Sequence, residues 1–179
     1  MARRVGAEWV AALRSFVRKP AAVFFTFVFP LILIGIFGAV IQTGTGGGGL
    51  FSQPQGYYVP GYLAVVVVLT PLSRIGTTVA RHRSNNRFDK LSTTPLRPSE
   101  WLAAHVLVNA VLIGVASILI LGFILVTGAE FYPSPLVALF VGLGVVTFCG
   151  IGAVLGRVTS SEDGVIAASN AVGIPVLFL

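Results

Sequence analysis

Charge is what this sequence has least of. Only 10% of its 179 residues are Asp, Glu, Lys or Arg, while 55% are hydrophobic and the mean hydropathy is +0.92. Soluble domains carry about 25% charged residues, so a water-soluble fold of this length would have too few charges to cover its surface. Cysteine is nearly missing too. Cys149 stands alone in an apolar run, which excludes an internal disulfide and leaves no CxxC or Cys/His cluster for a metal. It reads as a small apolar packing residue. No GxxxxGK[ST] motif is present, because the glycine-rich stretch 42–56, QTGTGGGGLFSQPQG, contains no lysine; it reads as a flexible connector and not as a phosphate cradle. The N-terminal stretch does not read as a signal peptide either, since residues 2–19 are charged and interrupted and the first apolar run starts only after Pro20.

What is there is a series of long apolar runs. Crossing a hydrocarbon core of roughly 30 Å takes about 20 mostly apolar residues. Four stretches satisfy this: 21–41, 57–80, 99–127 and 136–156. An all-α membrane protein is therefore expected, a transmembrane helix bundle preceded by an amphipathic helix over 3–19. In that helix Val5, Trp9, Ala12, Leu13 and Phe16 fall on one side and Arg3, Arg4, Arg14 and Arg18 on the other, the pattern of an interfacial helix. Trp9, Arg14, Arg18 and Lys19 at one interface, and Tyr57 and Tyr58 at the other, are the expected anchors. Pro30 lies in mid-span, where neighbouring helices can compensate a kink. Arg74 is expected to snorkel to the interface. Pro98, Ser99 as N-cap and Glu100 in the first turn mark the start of the third span. His105 and Asn109, four apart, are expected to turn inward and hydrogen-bond between helices. Gly152 and Gly156 form a GxxxG pair that lets helices approach closely, and Glu162 and Asp163 complement a helix N-terminus.

The charge distribution predicts orientation. The net charge is +6; in a soluble domain that would suggest nucleic acid, but here it belongs to topology and anionic lipid. If the spans alternate, every Lys and Arg falls on one side, in the N-terminal helix, in the 81–98 loop, and at Arg74 and Arg157. The loops 42–56 and 128–135 hold no basic residue. The positive-inside rule then places the N-terminus and 81–98 in the cytoplasm of a cell whose cytoplasmic membrane holds the protein. The last apolar stretch, 165–179, reaches about 22 Å at 1.5 Å per residue, so a chain cut inside its fifth span is expected.

The loop 81–98 holds the most specific signal. Arg87-Phe88-Asp89-Lys90-Leu91-Ser92-Thr93-Thr94-Pro95-Leu96-Arg97-Pro98-Ser99-Glu100-Trp101 resembles the segment between the second and third spans of ABC-2 type transporter permeases. There an acidic–leucine motif leads into a threonine–proline–leucine–arginine stretch and a glutamate that opens the next helix. Ala168-Ser169-Asn170-Ala171-Val172-Gly173-Ile174-Pro175 is similar to the stretch before that family's external re-entrant region. The sequence departs from the family where Arg81-His82-Arg83 and Asn86-Arg87 replace Glu-Arg-Glu and Gly-Thr, and at His105, where lysine is frequent. The resemblance implies six spans in the complete protein and a multidrug-efflux-like exporter. Two such subunits, or one with a paralogue, would join two ATP-binding cassette ATPase subunits. Drugs, lipids or glycans would suit as substrate. ATP and magnesium would be bound by the partner, with no cofactor in this chain. It also implies a coupling role for Arg87, Phe88, Asp89, Lys90, Leu91, Thr94, Pro95, Arg97 and Glu100, with Phe88 and Leu91 as an apolar face that docks on the ATPase and Thr94-Pro95 as a rigid exit. An intramembrane enzyme would need a nucleophile, ligands or paired acids at membrane depth, and only His105 titrates well inside a span. A non-transporting scaffold or sensor partnering an ATPase is the remaining alternative.

Overall fold

The computed structural model describes residues 2–32, 34–36, 55–92, 97–126 and 134–178. The glycine connector up to residue 54, residues 37–41, Thr94 and Pro95, and the short loop over 127–133 lie outside them. Every described element is helical: α1 (Ala2–Val17), α2 (Pro20–Ile36), α3 (Val59–Ser84), α4 (Arg87–Ser92), α5 (Pro98–Val126), α6 (Pro135–Val158) and α7 (Glu162–Leu177). Among the described residues, α3, α5 and α6 are each long and apolar enough to cross a bilayer, and α1 with α2 makes a fourth candidate bent by 92°. The chain is a multi-pass, all-helical membrane protein.

Local chemistry sets the helix ends. Ser134 and Ser161 accept the N–H groups of Leu136 and Gly164, at 3.3 and 3.0 Å, and so cap α6 and α7. The start of α5 differs from the expected Ser99 cap. Pro98 takes the first helical position, where its missing N–H costs nothing, so the cap falls on Arg97. Its carbonyl accepts from Trp101 at 3.0 Å, and its N–H donates at 2.9 Å to the Glu100 carboxylate, half of a capping box. Between α3 and α4 the chain turns at Asn86, whose φ of 50° is left-handed, a conformation that asparagine tolerates better than most residues. In α2, Phe24–Val28 forms a π turn in which Phe29 N–H reaches back to the Phe24 carbonyl. That wider turn immediately precedes Pro30, whose ring crowds the preceding turn of a regular helix.

Inside a bilayer, apolar side chains gain nothing by leaving lipid for protein, so close backbone packing has to hold helices together. The expected GxxxG pair has a definite partner. A Cβ on Gly152 would lie 2.5 Å from the Leu72 carbonyl oxygen, and one on Gly156 would run into the Gly76 carbonyl. Gly76 in turn faces Gly152 and Val165, and Gly173 faces Leu69. The order of these contacts gives the directions. Val67 meets Gly144 and Leu72 meets Gly152, so α3 and α6 run parallel; Gly76 meets Val165 and Leu69 meets Gly173, so α7 runs against them. On α5, Val108 and Leu112 pack near Phe27, and Phe123 packs near Gly35, so α2 and α5 share a direction. α3 is the hub, packed on α5, α6 and α7.

These directions bring the basic residues to one end. Arg81 on α3 binds Glu162 on α7 through both guanidinium arms, Nε to Oε1 at 2.9 Å and Nη2 to Oε2 at 2.6 Å. Arg83 donates to the backbone carbonyls of Arg157 and Thr159. The amphipathic α1 also lies against protein at this end. Its Trp9, Ala12, Leu13 and Phe16 pack on Val108 and Leu112 of α5 and on Ala22, Val23 and Phe27. Much of the face expected to rest on lipid is therefore covered by the bundle itself. Cys149 is fully buried in the core, the packing place expected of it.

Two outcomes follow from this packing. Gly152→Ala drives a Cβ into backbone and is expected to destabilise the bundle by about 1–3 kcal/mol. Gly150→Ala, where a Cβ meets open space, is expected to be neutral or stabilising by up to about 1 kcal/mol; thermal unfolding in detergent micelles reads both. The Arg81 guanidinium holds the Glu162 carboxyl below its ordinary pKa. Its contribution is fully present above the unfolded carboxylate value of about 4.3 and disappears as pH falls through the depressed folded one. The difference in melting temperature between the wild type and Glu162→Gln should therefore be clear at neutral pH and close progressively on acidification.

Candidate functional site

The short helix α4 is the element of interest at the basic end. Its six residues are too few to be stable in water unaided, and an aromatic wedge holds it in place. The Phe88 ring lies 5.6 Å from His82 of α3 and 5.5 Å from Trp101 of α5, both edge-on. His82 and Trp101 close the triangle at 5.3 Å. Trp101 also lies tilted over His105, with ring centroids 4.1 Å apart. Edge-to-face contacts at these separations add about 0.5–1.5 kcal/mol per pair beyond burial. Leu91 packs beside Phe88 against the same core. The apolar face of α4, expected to dock on a partner, is thus turned into the chain's own bundle and clamps α4 to two long helices at once.

The remaining candidate residues divide into two groups. Arg87, Asp89 and Arg97 are exposed at the basic end, and Arg87 reaches the mouth of a cleft between α1, α3 and α5. Glu100 is 4% exposed and spends its carboxylate on the Arg97 N–H, so it acts as a helix cap and offers nothing to the surface. Lys90 lies on α4, with its side chain outside the described set. Of the anchors, Arg14, Arg18, Lys19 and Tyr57 are exposed, and the Tyr57 and Tyr58 rings meet edge-on at 5.5 Å. Trp9 is half-buried against the bundle.

Two polar residues inside the bundle bond differently from expectation, and a third makes a contact that the sequence did not announce. His105 and Asn109 are buried, but both bond along their own helix. His105 Nδ1 meets the Trp101 carbonyl at 3.0 Å, and Asn109 Nδ2 donates to the His105 carbonyl at 2.8 Å. A carbonyl one turn back is always within reach, whereas a partner on another helix has to be supplied. Arg74 lies in the cleft at the basic end, with Lys19, Arg81 and Arg87 in the same lining. Its guanidinium lies over the Phe16 ring, 4.3 Å from the centroid, a cation–π contact made inside the cleft. Sequence reasoning passed over His82 and Trp101 as parts of the site. Their only sequence signal is that a basic helix end and a tryptophan flank the same turn.

The arrangement consists of packed rings, a helix cap and an ion pair. Among the described residues no three His, Cys, Asp or Glu side chains lie together as a metal site would require. Glu162, in the first turn of α7 as expected, is also engaged by Arg81. No curated protein and no solved structure matches the chain. The family model described as ABC-2 family transporter protein matches residues 49–179, which take in α3 to α7, the aromatic wedge and the glycine contacts. A basic-ended helical bundle carrying that match over most of its length belongs to the ABC-2 family of transporter proteins.

Proposed function

We propose that this chain is the permease subunit of an ATP-binding cassette exporter and that α4 is its coupling element. In this reading the basic end is cytoplasmic, α1 is an elbow helix at the headgroup level, and a separate ATPase subunit binds ATP and magnesium and docks against α4. The complete protein has six spans and works beside a second permease subunit, in the cytoplasmic membrane. The substrate is a drug, a lipid or a glycan.

The observation that carries the reading is the Phe88 wedge. A helix clamped to both α3 and α5 cannot be displaced without moving both, so force applied to its outer surface passes into the bundle. The outer surface is polar, with Arg87 and Asp89 exposed and Arg97 beyond. An ATPase would meet charge there, and the apolar side of α4 would serve as the lever's fixed end. Charge repeats the same orientation: twelve Lys and Arg residues against six Asp and Glu, with Arg81, Arg83, Arg97 and Arg157 at one end of the described bundle, as the positive-inside rule requires of a cytoplasmic face.

The test is reconstitution with the cognate ATPase in vesicles loaded with drug, lipid and glycan probes. ATP-dependent movement is expected, and movement driven by an ion gradient alone would refute the exporter reading. Phe88→Ala should leave the ATPase bound while cutting ATP-dependent movement by about fivefold or more, the usual size of a lost coupling free energy. Arg87→Glu should instead weaken co-purification of the ATPase. Hydrolysis by the bound ATPase with no movement of any probe in the wild type would favour a scaffold or sensor.

A further inference from the structure

Between α1, α2, α3 and α5, at the basic end, lies a cleft of about 670 Å³, within the size range of small-molecule sites. Lys19, Arg74, Arg81 and Arg87 line it, against Glu8 as the one acid among its described lining residues. Arg81 is committed to Glu162. Arg74 is not committed to any acid: among the described residues no carboxylate pairs with it and its Nη1 has no hydrogen-bond partner. Two further buried polar atoms on residues lining the same cleft are also unpartnered, His82 Nδ1 and Asn109 Oδ1, and Asn109 is only 2% exposed.

Buried polar groups are ordinarily hydrogen-bonded, and each exception asks for a reason. Here residues carrying three exceptions line one cavity. Their chemistry narrows the occupant. A guanidinium without an acid pairs best with the planar or tetrahedral oxygens of a carboxylate or phosphate. Asn109 Oδ1 only accepts, so the occupant also carries a donor. Thr77 and Thr78 point the same way. Both hydroxyls spend their protons on their own helix, on the carbonyls of Ser73 at 2.8 Å and Arg74 at 2.7 Å, which leaves oxygen lone pairs in the lining. An anion with a hydroxyl or ammonium beside it satisfies both demands, and a bare anion satisfies one. The cleft lies beside the amphipathic α1, and basic pockets between membrane helices are places where lipid headgroups bind.

We propose that this cleft binds a phosphate ester bearing a neighbouring hydroxyl or ammonium group, the headgroup chemistry of a glycerophospholipid, with Arg74 holding the phosphate and Asn109 accepting from the donor beside it. The site requires only insertion in a membrane and stands whether or not the complex exports.

Native mass spectrometry of the intact chain in detergent tests it, with titration by phosphatidylglycerol, phosphatidylethanolamine and a diacylglycerol of the same acyl chains. Both phospholipids should be retained and diacylglycerol should bind at least about tenfold more weakly, the scale of a lost charge-assisted hydrogen bond. Arg74→Gln should weaken phospholipid binding by a similar factor, while Arg74→Lys keeps most of it. Displacement by millimolar glycerol 3-phosphate would assign the site to a soluble phosphate ester, and resistance to displacement would assign it to lipid. Equal retention of diacylglycerol, or unchanged affinity in Arg74→Gln, overturns the proposal. Should Arg74→Gln fail to insert, a headgroup-photoreactive phospholipid on the wild-type chain decides. Adducts on the cleft-lining turns of α1, α3 and α5 support the site, and adducts confined to the exposed face of α6 refute it.

Discussion

The backbone contact between α3 and α6 determines where the rest of the bundle goes. At Leu72, Gly76, Gly152 and Gly156 the two helices come close enough that a methyl group would collide with a carbonyl, and lipid cannot compete for that space. Dispersion between backbones is the main attraction available where the surroundings are as apolar as the side chains. Once α3 and α6 are parallel and in contact, α7 has one groove to fill, with Val165 against Gly76 and Gly173 against Leu69. Glu162 then arrives beside Arg81. The other side of α3 is left for α5, and His82 meets Trp101 there. The aromatic wedge under α4 is thus a distant product of three glycines.

Polar side chains in this apolar setting follow a simple rule. Thr77, Thr78, His105 and Asn109 bond to carbonyls three or four residues back in their own helix, which needs no second helix to be in register. Arg81 and Arg83 reach across instead, and they do so at a bundle end where the groups involved remain part-exposed. Arg74 has neither solution and rests on an aromatic ring. Its position is accounted for by the cleft it lines.

Much of the architecture could be read from composition and spacing. Apolar runs of membrane length predict helices over 57–80, 99–127 and 136–156, and helices stand at Val59–Ser84, Pro98–Val126 and Pro135–Val158. The gathering of basic residues at one end was legible because alternating directions leave few other places for them. Three features were not legible. The direction of the Phe88–Leu91 face depends on the left-handed turn at Asn86, and periodicity within a six-residue helix says nothing of which neighbour it meets. The cap of α5 moved from Ser99 to Arg97 because Pro98 is better placed inside the helix than before it. Glycine spacing announced a close contact on α6, but the partner was set by Gly76, a single glycine with no motif around it.

The ion pair between Arg81 and Glu162 joins residues 81 positions apart. Synthesis proceeds from the N-terminus, so α3 is made well before α6 and α7, the helices that cover its glycines and accept its arginine. Until they emerge, α3 presents bare backbone at Gly76 and an Arg81 without its carboxylate. A nascent chain in that condition carries polar groups at membrane depth that lipid cannot satisfy. Its safe passage depends on whatever shelters helices beside the ribosome, and on how promptly the remaining chain is delivered.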